Sequence, residues 1–183
     1  MACLLFCIAS CSLLINFLGD RNISEINKAF VSMHQDRLVP ATDLFFIAEN
    51  LRQKSDQWQD ALSLDVASLS TSKHLIAVIR QNANTDSVFA KYEATKIAEK
   101  ENVYLRDFKG ALDAQNKQEA VLLDLYTNDS PNALKIYQSQ SRKLNTNTFS
   151  SLSDLIKIQS TIGDELMIDS QAWIWGAKIC STI

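Results

Sequence analysis

The chain has 183 residues, 46% of them apolar, and its 18 basic and 21 acidic side chains leave a net charge of −3. That is enough chain and apolar surface for a packed domain, so a disordered segment is excluded; the charges are interleaved without a block of five like signs, so nucleic acid is not an expected partner. With only 4 glycines and 2 prolines, the chain has few residues suited to tight hairpins and bulges, and helices are expected rather than sheet.

The chain opens on the apolar run Ala2–Leu18, which carries Cys3, Cys7 and Cys11 four residues apart. On a helix these thiols share one side, but zinc needs a fourth ligand and none stands nearby before Asp20, so no metal site is expected. The run has no polar face, unlike a surface helix. As a membrane span it would rise about 26 Å, slightly short of a hydrocarbon core of about 30 Å. As an export signal it has a short apolar stretch ending in small residues at Ala9 and Ser10.

Within that run, Ile8-Ala9-Ser10-Cys11 resembles the lipobox of bacterial lipoprotein precursors: an aliphatic residue, two small ones, then cysteine. The resemblance implies cleavage between Ser10 and Cys11, a diacylglyceryl group on the Cys11 thiol and a further acyl chain, such as palmitate, on the freed amine. It also implies, from Ser12 after the cysteine, the periplasmic face of the outer membrane. The domain organisation is then a signal peptide over 1–10, a lipidated tether over 11–20 and a helical domain over 21–183. If residues 2–18 are instead retained as a span, the inner membrane is the expected location.

The body reads as a single all-α bundle of about six to eight helices. Ser24 opens a segment with Ile23, Ile26, Ala29, Phe30 and Met33 on one face, ended by Pro40. The next carries Leu44, Phe45, Ile47, Ala48, Leu51, Trp58, Ala61 and Leu62, up to a loop at Ser68–Ser72. Leu75–Ile79 make a short buried segment. From Asp86 a longer helix is expected through Phe89, Tyr92, Ile97, Leu105, Phe108 and Leu112, with Gly110 bending or breaking it. Ala120–Tyr126 continue its apolar surface. Ser130-Pro131 starts a helix with proline at its first position, carrying Leu134, Tyr137 and Leu144, and Asn145-Thr146-Asn147-Thr148 closes it. Phe149, Leu152, Leu155, Ile156 and Ile162 form the next stripe, ending at Gly163. Trp173 and Trp175 fall in a terminal helix, either as core residues or as an exposed docking surface for an envelope partner.

Spacing rules for common enzyme motifs find no match: no H-E-x-x-H, phosphate-binding glycine loop, dinucleotide fingerprint or nucleophile elbow. His34 reads as a surface histidine; His74 stands beside Lys73, which disfavours its protonation, and nothing nearby marks a nucleophile. Asp56 with Asp60, and Glu165 with Asp169, stand at helical spacing and are the candidate carboxylate pairs for a glycan-cleaving site. The expected function is that of a non-enzymatic, membrane-tethered scaffold or accessory subunit of a cell-envelope assembly, binding other envelope proteins and needing no cofactor. The alternatives are an envelope hydrolase built on those carboxylates and an inner-membrane immunity-type protein that keeps residues 2–18.

Overall fold

The computed structural model of the chain describes Ser24, Asn27, Lys28 and residues 30–63, 69–95, 97–128 and 130–180. The chain divides into two compact units, Val39–Ser160 and Met1–Leu38 with Thr161–Ile183. All regular structure among the described residues is helical, in four long helices. Helix α1 comprises a π-helical turn, His34–Leu38, and the α-helix Val39–Ser63. Helix α2 is Leu69–Glu93, and α3 is Asn102–Asn128, entered through a 3-10 turn at Glu99–Glu101. Helix α4 runs through Ser130–Ile136, a π-helical turn at Tyr137–Ser141, and Arg142–Cys180.

The unit Val39–Ser160 is a four-helix bundle whose core follows a heptad-like rhythm. Its buried side chains on α3 are Phe108, Leu112, Gln115, Glu119, Leu122 and Tyr126, alternating steps of four and three residues; on α1 they include Pro40, Leu44, Ile47, Leu51, Lys54, Trp58 and Ala61 in the same alternation. Such spacing keeps one narrow seam on one side of each helix, and the seams close on a shared interior. Two apolar cores result. One joins Leu44, Ile47 and Leu51 to Phe89, Tyr92, Phe108, Leu112, Leu152 and Leu155. The other joins Trp58 and Leu62 to Val78, Leu122, Tyr126, Ala133 and Tyr137.

The α2–α3 turn is closed by local polar chemistry. The Thr95 hydroxyl donates to the Tyr92 carbonyl at 2.7 Å, and the buried Glu101 carboxylate accepts the Ala98 N–H at 3.1 Å and the Tyr92 hydroxyl. At the same end Lys91 pairs with Asp43 at 2.7 Å and Lys109 with Glu93 at 2.8 Å, linking α2 to α1 and α3.

Four long helices replace the expected six to eight because residues read as breaks lie inside them. Pro40 stands two residues after a π-helical turn, whose wider spacing relieves the clash that its ring would make with the Asp36 carbonyl in an α-turn. Gly110 is an interior helix residue; a Cβ there would meet nothing within 4 Å. In Asn145-Thr146-Asn147-Thr148 the two threonine hydroxyls bond back along the helix, Thr146 to the Arg142 carbonyl at 2.9 Å and Thr148 to that of Leu144 at 3.0 Å, so their side chains are satisfied without breaking it. Gly163 is likewise inside α4. Helix α2 already starts at Leu69 within the expected loop, takes Leu75–Ile79 and Asp86 into one element, with Ile76 and Ile79 exposed, and ends at Glu93, so the helix expected from Asp86 through Leu112 is two, with Ile97 in the turn between them. Phe45, and in the other unit Phe30 and Met33, are also exposed rather than core. Ser130-Pro131 does begin a helix.

Candidate functional site: a polar layer and a groove in the bundle

Between the two apolar cores the seam positions turn polar. Lys54 of α1 and Glu119 of α3 are 1% and 4% exposed and form an ion pair of 2.9 Å. Asn82 of α2 bridges them, accepting from Lys54 Nζ at 2.8 Å and donating to Glu119 Oε2 at 3.1 Å, while Gln115 donates to Glu119 Oε1 at 3.0 Å. Two charges out of water need such partners, because an isolated buried charge costs several kcal/mol, on the order of 3–5 when one member of a pair is lost. One residue along on α1 and α2, a separate chain of bonds runs to the surface, with Gln81 donating to Gln53 at 2.6 Å and Gln53 to Glu49 at 2.8 Å. Helix α4 contributes Thr148, whose hydroxyl lies 3.2 Å from the Ala111 carbonyl of α3. Gln81 Oε1, Thr85 Oγ1, Gln115 Oε1, Asn116 Oδ1 and Ser141 Oγ are buried polar atoms without a protein partner.

Beside this layer, α1 and α4 frame a groove of about 320 Å³ lined by Ser55, Gln59, Tyr137, Arg142, Asn145, Thr146 and Phe149. Its floor is hydrogen-bonded across the two helices: the Tyr137 hydroxyl donates to the Ser55 carbonyl at 3.2 Å, and Asn145 donates to Ser55 Oγ at 3.4 Å. Tyr137 begins the π-helical turn and Arg142 follows its last residue, a local widening often found at functional sites. No carboxylate lines the groove, and Arg142 pairs with no acid among the described residues. A guanidinium in such surroundings offers a planar fork to a carboxylate, next to amide and hydroxyl groups and the apolar face of Phe149.

Residues 1–174 match the family of four helix bundle sensory modules for signal transduction. The chain belongs to this family. No curated protein matches it. Membership overturns the lipoprotein-precursor resemblance, since the match runs through Ile8-Ala9-Ser10-Cys11 and on into the bundle. A four-residue pattern is short enough to occur by chance within an apolar run, and Leu13–Leu18 are apolar but for Asn16, where a lipoprotein tether is polar. The outer-membrane placement rested on that pattern and falls with it.

Ser10 and Cys11, the expected cleavage and acylation residues, lie outside the described residues, as does the rest of Ala2–Leu18. Among the described residues no helix is long and apolar enough to cross a membrane. Trp173 and Trp175 fall within α4 as helical residues, with side chains outside the description. The carboxylate pairs gain no support as a hydrolytic site of the sensory module: Asp56 is exposed and held by Arg52 at 2.8 Å, Asp60 is exposed and 4.0 Å from His74, and the Asp169 side chain is outside the description. His74 Nδ1 instead lies 2.7 Å from Gln57 Oε1. No cluster of three metal-ligating side chains occurs among the described residues.

Lys54, Glu119, Arg142 and Asn145 are not among the sites expected from sequence. A signal for the first two was available: a charge standing at a seam position between Leu51 and Trp58, and another between Leu112 and Leu122. Arg142 gave none, because exposed basic residues are common on helices.

Proposed function

We propose that this chain is the sensing part of a membrane-bound signal transducer, acting by binding rather than catalysis. In this reading the bundle Val39–Ser160 lies outside the cytoplasmic membrane, with the apolar run Ala2–Leu18 retained as an anchor, and takes a small carboxylate ligand in the groove between α1 and α4. Arg142 supplies the charge. Asn145, Ser55 and Tyr137 supply hydrogen bonds that select among acids of similar charge, and Phe149 shields one face of the ligand.

The observation that carries this reading is an Arg142 guanidinium with no acid partner among the described residues, on a groove without carboxylates, in a chain that belongs to a family of sensory modules. A volume of about 320 Å³ lies at the lower end of small-molecule sites, roughly 300–1,000 Å³. The test is titration calorimetry of the full chain with acetate, succinate and citrate against neutral acetamide and succinamide. At least one acid is expected to bind, with affinity at least tenfold weaker in Arg142→Gln and unchanged in Arg80→Gln, an exposed arginine on α2. Equal binding by Arg142→Gln, or binding by the neutral amides alone, would overturn it.

A further inference from the structure

The groove and the buried polar layer meet on consecutive residues of α1. Lys54 reaches into the bundle toward Asn82 and Glu119, while Ser55 receives Tyr137 and Asn145 from α4. Neighbouring residues on a helix project about 100° apart, so one turn of α1 serves both sides at once. Moving Ser55 moves Lys54 with it.

The two attachments differ in kind. On the inner side the bonds are charge-assisted and 2.8–3.1 Å long, within a layer almost closed to water. On the groove side they are neutral, 3.2 and 3.4 Å long, and bordered by open space. A molecule entering the groove competes for the Tyr137, Asn145 and Ser55 groups, which are already bonded to one another. The weaker side is therefore the one that yields, and the stronger one carries the displacement inward. The layer is suited to respond, because Gln115 Oε1, Thr85 Oγ1 and Gln81 Oε1 lie unpartnered there on side chains at least nine-tenths buried. These atoms allow the amide and hydroxyl groups to exchange partners when Lys54 shifts.

We propose that the α1–α4 groove and the Lys54–Asn82–Glu119 network form one coupled device, joined through Ser55 and Lys54, so that groove occupancy reaches α2 and α3 as a rearrangement of that network. The ligand aspect of this device rests on the sensing reading above. The link between the two polar groups does not, and it is measurable without ligand.

The test follows the side-chain NH2 resonances of Asn82 and Gln115 in 15N-labelled full chain. Tyr137→Phe, which removes only the hydroxyl donated to Ser55, is expected to shift both resonances. Tyr126→Phe is the matched control: its hydroxyl donates to another α1 carbonyl, that of Ala61 at 2.9 Å, two turns away, and both resonances should stay in place. Unmoved Asn82 and Gln115 signals in Tyr137→Phe would overturn the coupling, whatever the groove binds. In a second arm, replacing the ion pair by Lys54→Met with Glu119→Leu should change the affinity of a bound acid from the panel at least fivefold, and an unchanged affinity also counts against it. If no acid binds, the ligand assignment fails while the ligand-free shifts still decide the coupling.

Discussion

The two apolar cores of the bundle are built from similar residues but use them differently. Around Phe108 the rings meet one another, with Phe89 edge-on to Phe108 at 5.3 Å and stacked with Tyr92 at 6.5 Å. Around Trp58 the tyrosines reach outward to α1, Tyr126 to the Ala61 carbonyl and Tyr137 to the Ser55 carbonyl, and small Ala133 takes a core position. Apolar ring contacts reward burial and are indifferent to small polar rearrangements, whereas a tyrosine hydroxyl ties the position of one helix to that of another. The first core holds the helices together, and its Tyr92 hydroxyl closes the α2–α3 turn on Glu101; the second also registers where α3 and α4 stand against α1. The groove adjoins the second through Tyr137.

The largest test of this contrast is Phe108→Ala, expected to destabilise the bundle by about 3–5 kcal/mol in urea unfolding through loss of burial and a cavity. The ligand-free Asn82 resonance should change little, and a large change would blur the distinction between the cores. Glu119→Ala should cost about 3 kcal/mol, because it leaves the Lys54 ammonium buried without its counter-charge. A loss below about 1 kcal/mol would mean that the layer admits water freely. Tyr126→Phe should cost about 1 kcal/mol, the usual net worth of one hydrogen bond.

Gly110→Ala reverses the sign. The site is interior to α3 with room for a methyl group, so a gain of about 0.5–1 kcal/mol is expected, read as a higher urea midpoint. The smallest effect concerns pH. The Arg52 guanidinium, aided by the Gln53 amide, lowers the Glu49 carboxyl from 4.5 to about 2. A depressed carboxyl supports the fold above its ordinary titration range and loses that support as pH falls through about 2. Glu49 is at the surface, so the stability change should be slight; carboxyl NMR of Arg52→Gln should instead find Glu49 titrating closer to 4.5.

The helical class and most of the interior could be read from the sequence, because Leu44, Ile47, Leu51, Trp58, Phe108, Leu112, Leu152 and Leu155 recur at helical spacing and are buried. The number of helices could not. Proline, glycine and a Ser/Thr/Asn cluster signal a break only where nothing compensates for them, and here a π-helical turn, an open helix surface and hydroxyl back-bonds do so. Phe45 shows the opposite failure: it lies beside the seam, and neither its type nor its spacing reveals that the helix turns it outward. The groove was hidden for a different reason. Ser55, Asn145 and Arg142 are ordinary surface residues within their own helices, and they acquire chemistry only when α1 and α4 are brought side by side. The functional family was equally out of reach, since the match extends over 1–174 rather than over a few residues.

The spacing of the α3 seam repeats closely enough that, Gln115 and Glu119 aside, sliding it by seven residues would still set apolar side chains against its neighbours. Such a slip would carry Glu119 about 10 Å away from Lys54, setting the carboxylate among apolar side chains and leaving the ammonium without its counter-charge. The Lys54–Glu119 rung therefore disqualifies the misaligned assemblies that the greasy positions alone would tolerate.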